Sequence, residues 1–497
     1  MIPRTGRRPG LPATSSAVAA SPGPPPPPPA AGADGQRPVP AKTSVGRFLQ
    51  RVSVHNFWIV VLLIVIVGRL GDWGPFVAGK VPVLKIAFVI AALYVNRVSF
   101  AYAPVRLWSL PIARLAISFF VLMIASFAFS VYHTATFTSS YVAVIYLITF
   151  AMLVKTTQTQ KDIDNLLVGL AVAGAALAVW EIVSFRGGRA TITGTNANDL
   201  AYSITTLLPI VLVLRGRAWG WRRLTLTGLA LLMCMAVLLT ASRGGVVGVM
   251  VVLLAATFFP LDLGKTGWLK RRNIGKVLAV LGLAAALGTV MFRFLPQETQ
   301  ERLLTLIHPS EDYNNSTTLN SSRRVIWTRD LRLAFERPIG YGAGTATAVD
   351  GIYGHGQYRT AHNSVIQAFL ELGALGLYLY LASYFVAWRD LGRISNARPR
   401  DGPTAEGAKV ALFARALRVS LLGNFAAGFF LSQAYSGALW MILAISCAFI
   451  RINGAHSDLV TGRAADPTPA WRRPSARARV SPARARVSPE RAPASRR

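Results

Sequence analysis

The sequence predicts an all-α fold: a polytopic transmembrane helix bundle of about 12 spans with one long outer loop. Two observations carry this prediction. The 497 residues are 53% hydrophobic and only 15% charged, which is too apolar for a soluble protein of this size. The apolar residues also form long runs, many of them close to the roughly 20 residues that a helix needs to cross a bilayer. A soluble multidomain enzyme is therefore not expected.

The net charge of +32 raises the question of a nucleic-acid partner. Acidic residues are so few, beside so much apolar sequence, that basic loops and tails on a membrane protein explain the charge better. We therefore expect that the protein does not bind nucleic acid and that the lipid bilayer is its main surrounding. Cys234 and Cys447 each lie inside an apolar run, so we expect packing residues and no disulfide framework or metal site.

Two biased tails flank a membrane domain, which we place at residues 51–455. Residues 1–50 are rich in Pro and Ala and contain PGPPPPPPA, so they cannot bury enough apolar surface to fold. They also lack the features of a secretory signal. Residues 456–497 are rich in Arg and Pro, with the tandem repeat ARARVSP. This tail could attract anionic lipid headgroups, but a solvated, disordered segment is the favoured interpretation.

The spans follow from the apolar runs, and their orientation follows from the loops between them. Lys and Arg concentrate in the short loops after even-numbered spans, whereas the turns YHTATFTSS and SQAYSG contain neither. The positive-inside rule then predicts that both termini are cytoplasmic, which requires an even number of spans. We place the spans at about 55–73, 79–96, 108–131, 137–155, 164–185, 198–215, 222–240, 244–262, 275–294, 363–388, 408–431 and 433–451.

One connection, at about 295–361, is much longer than the others. Loops of this length usually carry a function, so we expect a functional element or a small subdomain on the outer side. Within it, TRDLRLAFERPIG has helical spacing of Leu331, Ala334 and Phe335. We expect a short helix that Pro338 terminates.

Two arginine motifs depart from the positive-inside trend. TASRGG places Arg243 at the start of a helix, where backbone N–H groups and the guanidinium together favour an anion such as phosphate. The alternative is that the side chain of Arg243 only extends to the lipid headgroups. SSRRVIW places Arg323 beside Arg324 on the outer side. A solvated face is the ordinary meaning of such a pair, but Trp327, one turn later, predicts a segment held at the interface.

A polar stripe marks the point where the chain re-enters the membrane. In AHNSVIQAFLELG, Asn363, Gln367 and Glu371 follow at i, i+4 and i+8, which places them on one face of a helix. Glu371 lies about two turns deep, where a carboxylate must pair with an arginine or stay protonated. A lone histidine is more often structural than catalytic. His362 lies above the stripe, however, and is therefore a candidate general base.

A fourth motif, ITGTNANDLA, leads into another helix. Asn196, Asn198 and Asp199 are best interpreted as helix caps, with Asn198 retained as a candidate substrate contact. The sequence contains no Walker-type phosphate loop, dinucleotide fingerprint or HExxH signature. We therefore expect no cofactor and no bound metal.

In this order and spacing, the four motifs resemble the O-antigen ligase and polysaccharide polymerase family of bacterial integral-membrane glycosyltransferases. The resemblance covers about 191–380 and rests on GTNANDLA, TASRGG, SRRVIW followed by ERPIGYGAGT, and AHNSVIQAFLELGALG. The flanking spans match only in hydropathy.

The resemblance implies a reaction and a set of site residues. A glycan would pass from undecaprenyl pyrophosphate to a sugar hydroxyl of a glycan or lipid-glycan acceptor, on the outer side of the cytoplasmic membrane and without metal. By motif position, Arg243 and Arg323 would bind the pyrophosphate, Arg324 would assist, and His362 would orient or deprotonate the acceptor hydroxyl. Asn363, Gln367, Glu371 and Asn198 are the further candidate substrate contacts. Other polysaccharide assembly and export proteins would be its partners.

Three questions stay open at this point. The doubled arginine leaves undecided whether Arg323 or Arg324 takes the family role. Polymerase and ligase share a donor and differ only in the acceptor. A lipid-linked oligosaccharide flippase or secondary transporter is the alternative from another class. Such proteins usually have internal repeats, and the single long loop has no counterpart in the other half of the chain.

Overall fold

The protein is described here as a computed structural model that covers most of the predicted membrane domain. The described residues are 57–67, 90, 105–185, 196–262, 275, 282, 286, 288–290, 292–305, 322–353, 358–397 and 404–461. They form thirteen α-helices and no strand, so the predicted all-α class is confirmed. Residues 1–50 and 462–497 lie outside the described residues.

The helices are numbered α1 to α13 in chain order. They are α1 (Phe57–Val67), α2 (Pro111–Ala125), α3 (His133–Thr156), α4 (Gln160–Ser184), α5 (Ala197–Arg217), α6 (Gly220–Leu239), α7 (Arg243–Phe258), α8 (Gln297–Leu304), α9 (Arg323–Glu336), α10 (Ala346–Tyr353), α11 (Ser364–Asn396), α12 (Ala405–Gly428) and α13 (Gly437–Thr461). A short 3-10 turn, Ser126–Phe129, extends α2.

Eight of these helices are long and apolar enough to cross a bilayer: α2 with its extension, α3, α4, α5, α6, α11, α12 and α13. Each coincides with a predicted span. The 16-residue α7 and the 11-residue α1 fall on two more, but both are shorter. Of the predicted span at 79–96 only residue 90 is described, and of that at 275–294 only 275, 282, 286, 288–290 and 292–294 are. The total of about twelve and the direction of insertion therefore stay predictions.

The range expected to form the long outer loop contains three short helices, α8, α9 and α10. None of them is among the eight span candidates. The helix predicted before Pro338 is confirmed, because α9 ends at Glu336 with Arg337 as its C-cap. That the whole of 295–361 lies on the outer side stays a prediction.

The centre of the bundle is built around α12, which packs against α5, α7 and α11. A buried polar network joins three of these helices. The amide oxygen of Asn424 in α12 accepts from the hydroxyl of Tyr202 in α5 (2.8 Å) and from that of Tyr384 in α11, while its amide nitrogen donates to Thr206 in α5 (2.8 Å). A buried amide that is fully bonded in this way fixes the register of the helices around it.

The long helix α11 is interrupted at Gly373, where the backbone takes φ 68° and ψ −166°. The turn that follows α9 occupies the break. Tyr341 N–H donates to the carbonyl of Leu370 (3.0 Å), and Ala374 N–H donates to that of Pro338 (2.9 Å). A Cβ at Gly373 would lie 2.0 Å from the Pro338 oxygen. The break is therefore the docking point for residues 338–346.

We expect Gly373→Ala to destabilise the protein. The backbone angles at this position are almost exclusive to glycine, at a cost on the order of 1–3 kcal/mol, and the added methyl would push against the Pro338 carbonyl. A lower midpoint of thermal unfolding in detergent measures the effect. Gly228→Ala in α6 is the matched control, because nothing lies within 4 Å of its Cβ position and alanine favours a helix. Equal midpoints for the two variants would contradict the assignment.

Candidate active site

All four sequence motifs lie at helix starts, and each start is capped by a side chain of the motif. A cap oxygen accepts one of the backbone N–H groups that an α-helix leaves without a partner at its beginning. The cap residues are Asn196 for α5, Ser242 for α7, Ser322 for α9 and Asn363 for α11. The interpretation of Asn196 as a cap is confirmed. Asn198 is buried in the first turn that this cap begins.

Arg243 and Arg323 occupy equivalent positions, since each is the first helical residue after a capping serine. Nη1 of Arg243 donates to Oγ1 of Thr305 at the end of α8 (2.9 Å). Nη1 of Arg323 donates to the carbonyl of Phe430 (3.3 Å). Arg323 is half-buried, whereas Arg324 is exposed. The structure therefore distinguishes the two members of the doublet, and only Arg323 points into the bundle.

The glycines after Arg243 serve helix packing. A Cβ at Gly245 would lie 2.5 Å from Ala201 Cβ in α5, and one at Gly248 would lie 2.9 Å from Ala427 Cβ in α12. At these positions the close approach is made by neighbouring helices. Their effect on the site is to bring the start of α7, with Arg243, tightly against α5 and α12.

The connector, residues 429–436 between α12 and α13, contacts both arginine motifs. A Cβ at Gly244 would lie 2.8 Å from Phe430 Cβ, so the residue after Arg243 packs directly on the connector. The carbonyl of the same Phe430 accepts from Arg323. Phe430 is therefore the point at which the starts of α7 and α9 meet.

The connector also contacts the other two motifs. The hydroxyl of Ser364, at the start of α11, donates to the Leu431 carbonyl (2.7 Å) and accepts from Gln433 N–H (2.9 Å). The side chain of Gln433 donates from Nε2 to the carboxylate of Asp199 in α5 (2.5 Å). From the sequence, this stretch was noted only as a turn without Lys or Arg, and its contacts with the four motifs were not predicted. The available signal was its content of Ser432, Gln433, Tyr435 and Ser436 in so short a turn between two apolar helices.

His362 lies beside the start of α9. It precedes the α11 cap and takes a left-handed backbone conformation, φ 48°, which is uncommon outside glycine. Nε1 of Trp327, one turn after Arg323, donates to the carbonyl of Ala361 (2.5 Å). The Trp327 ring also packs edge-on against Phe429, with 5.8 Å between the centroids. Trp327 thus ties the helix of Arg323 both to the turn of His362 and to the connector.

The predicted polar stripe of α11 is buried, and its side chains form hydrogen bonds with backbone N–H groups. Asn363 caps the helix, and the amide oxygen of Gln367 accepts from Ala434 N–H of the connector (3.2 Å). Glu371 is only 1% exposed. Its two oxygens accept from the N–H groups of Gly344 (2.6 Å) and Ala346 (3.0 Å). Within the described part of the chain, Glu371 forms no ion pair with an arginine, and its carboxylate fixes the turn that precedes α10.

A second charged group, which the sequence analysis did not single out, anchors α9 to α10. Arg329 forms an ion pair with Asp350, whose carboxylate also accepts from Arg359 N–H (2.6 Å). Asp330 is buried beside this pair. Burial raises the pKa of Asp330 to about 7; the charge of Arg329 opposes this rise, and that of Glu371 adds to it.

We expect Asp330 to make the folded state less stable as the pH rises. An unfolded Asp loses its proton near pH 4, whereas the folded protein keeps it until about pH 7. Between these values the folded state binds more protons, so stability falls with rising pH by at most about 1.4 kcal/mol per pH unit. The contribution is complete below pH 4 and lost above pH 7. Thermal unfolding at pH 5, 6 and 7 measures the slope.

Asp330→Asn should flatten this slope, because the amide does not titrate. Asp390→Asn is the control, since Asp390 pairs with the exposed Arg389 and Arg393 in α11, away from this cluster. The control should keep the slope of the parent protein. An unchanged slope in Asp330→Asn would remove Asp330 as its source.

Comparison with known proteins agrees with the resemblance expected from the motifs. A family model described as O-antigen ligase matches residues 228–381. A search of curated proteins gave no match. The matched range includes Arg243, Arg323, Arg324 and His362, while the α5 start and the connector lie beyond it. With the eight span candidates, the match indicates a multi-pass protein of the inner membrane. Residues 228–381 are thus similar to the O-antigen ligase family.

Proposed function

We propose that this protein transfers a glycan from a polyprenyl pyrophosphate carrier to a sugar hydroxyl, on the outer side of the inner membrane, as a polysaccharide polymerase or an O-antigen ligase. One observation carries the proposal. Arg243 and Arg323, from motifs 80 residues apart in the chain, each begin a helix, and both helix starts abut the connector at Phe430.

This arrangement suits a diphosphate leaving group. As the bond between sugar and phosphate breaks, negative charge builds up on the departing pyrophosphate. Arginine can bind phosphate oxygens through two parallel N–H donors. Each helix start adds the positive end of a helix dipole. Donors that are already in place when charge develops lower the barrier without further reorganisation. We assign the pyrophosphate to Arg243 and Arg323.

The remaining candidate residues take different parts. His362 lies next to the helix of Arg323, and its imidazole would orient the acceptor hydroxyl or accept its proton as the bond to the sugar forms. The exposed Arg324 has an auxiliary part at most. Glu371 and Asn363 act on the substrate only indirectly, by holding the backbone around it. Donor and acceptor glycans are the partners, and other assembly and export proteins would receive the product.

The arginine doublet offers a matched test of this assignment. Arg323→Ala and Arg243→Ala should each lower the transfer rate by about 100-fold or more, the usual loss when one donor to a developing oxyanion is removed. Arg324→Ala should stay within a few-fold of the parent. The measurement is glycan transfer by the purified protein in detergent, with the lipid-linked oligosaccharide of the same cells as donor.

Two outcomes would contradict the proposal. Undiminished transfer by Arg243→Ala, at an unchanged amount of folded protein, would contradict the role of the arginines in binding the pyrophosphate. Equal losses in Arg323→Ala and Arg324→Ala would remove the assignment within the doublet. The detergent assay also distinguishes an enzyme from a flippase or secondary transporter. A flippase or transporter moves its substrate between two compartments, and a detergent solution has no membrane that separates them.

A further inference from the structure

A cavity of about 380 Å³ lies on the connector, beside the first turns of α5 and α11. This volume falls in the range of sites for small molecules, about 300–1,000 Å³. Its walls come from α1, α3, α5 and α11, and the connector and the start of α13 complete it. The lining residues that matter chemically are Tyr146, Asp199, Ser203, Gln367, Ser432 and Tyr435.

The chemistry of this lining differs from that of the arginine motifs. Among the described residues around the cavity there is no Lys, Arg or His, and Asp199 is the one charged group. The described part of the lining therefore offers an anion no cation. Hydroxyl, amide and carboxylate groups beside two tyrosine rings can instead donate to and accept from a ligand that carries many hydroxyl groups.

Two observations indicate that this polar lining is prepared for a ligand. The hydroxyl of Ser432 is buried and has no hydrogen-bond partner among the described residues, a costly state for a polar atom. Around it, Asp199 and Gln367 are held in place by the connector through Gln433 Nε2 and Ala434 N–H. Their hydrogen bonds fix the orientation of both side chains in the wall.

The connector also limits how far the cavity is from the arginines. Phe430 contacts Arg323 and the residue after Arg243, whereas Ser432 and Gln433 line the cavity. Two residues of chain span at most about 7 Å. In a lipid-linked oligosaccharide the first sugar is bonded directly to the pyrophosphate, and the acceptor hydroxyl must approach that sugar. A sugar site two residues along the connector from the contact of Arg323 therefore fits the order of sugar and pyrophosphate in the substrate.

We propose that this cavity is a subsite for one neutral sugar residue of the substrate glycan, bound through its hydroxyl groups by Asp199, Ser203, Gln367 and Ser432. The inference rests on the proposed transfer function and deepens it. The sugar belongs either to the donor or to the acceptor, and both have the chemistry that this lining recognises. The test below separates the two.

Cysteine protection tests the occupant directly. In Ser436→Cys, at a partly exposed position of the cavity wall, a small thiol-specific reagent should modify the new thiol. The parent protein, with Cys234 half-buried and Cys447 buried, gives the background. Three probes are compared: the lipid-linked oligosaccharide of the same cells, the glycan released from it by mild acid, and undecaprenyl pyrophosphate without sugar. Modification should slow by about tenfold with a probe that carries the sugar, and should not slow with the sugar-free carrier.

The pattern of protection decides the outcome. Protection by the released glycan assigns the site to the acceptor, whereas protection by the lipid-linked form alone assigns it to the donor. Equal protection by the sugar-free carrier, or none by either glycan probe, overturns the subsite. Because the readout does not depend on turnover, loss of the subsite with transfer intact is distinguishable from failure of the proposed function.

A pair of serine variants provides an independent arm. Ser203→Ala removes a lining hydroxyl, and Ser446→Ala removes an equally buried helical hydroxyl that does not line the cavity. We expect Ser203→Ala to raise the KM of one glycan substrate by about five- to tenfold, as expected for one lost hydrogen bond, with Ser446→Ala unchanged. Unfolding midpoints verify that both fold. Equal KM values in the two variants would contradict the proposal.

Discussion

The structure depends on how the connector satisfies its backbone inside the bundle. Residues 429–436 leave the helix α12 and enter α13 without forming a helix of their own, and a backbone away from water must find partners for its N–H and C=O groups. Some of the partners lie in the end of α12 and in the connector itself, and the others come from the motifs. Phe430 is bonded by Arg323, Leu431 and Gln433 by Ser364, and Ala434 by Gln367. Meeting this requirement is what brings the motifs together.

The same requirement explains why fold and function use the same residues. Ser242 and Ser322 cap helices because helix starts need acceptors, and the next residue in each case is an arginine. From these positions Arg323 donates to the connector at Phe430, and Arg243 donates to Thr305 at the end of α8. The buried carboxylate of Glu371 acts in the opposite way, since it takes two backbone N–H groups from the turn before α10. Polar groups that look catalytic by type thus also hold backbone: Glu371 accepts from two N–H groups, and Arg323 donates to the Phe430 carbonyl.

Much of the fold could be predicted from the sequence, because hydropathy and capping are local properties. Eight of the predicted spans coincide with apolar helices, and Pro338 and Asn196 mark helix boundaries as expected. The break at Gly373 could not be foreseen, since the run from 363 to 388 is continuously helical in pattern and the partner that opens it is Pro338.

The candidate site residues could be selected from the sequence, but their arrangement in space could not be predicted. Arg243, Arg323 and His362 were selected from motif chemistry, and their roles stay proposals. The sequence left open which of Arg323 and Arg324 takes the family role, and the structure half-buries Arg323 and exposes Arg324. The connector was missed because its bonds join distant positions, such as Asp199 with Gln433, and no local pattern reports a contact over more than 200 residues. Its four polar side chains in an uncharged turn were the one available sign.

The most direct measurement is a cryo-electron microscopy map of the protein with undecaprenyl pyrophosphate in a lipid nanodisc. The two phosphates should lie within hydrogen-bonding distance of the guanidinium groups of both Arg243 and Arg323, beside Phe430 of the connector. Phosphate density at a position remote from either arginine, or bound by Arg324 in place of Arg323, would contradict the convergence of the helix starts on one pyrophosphate site.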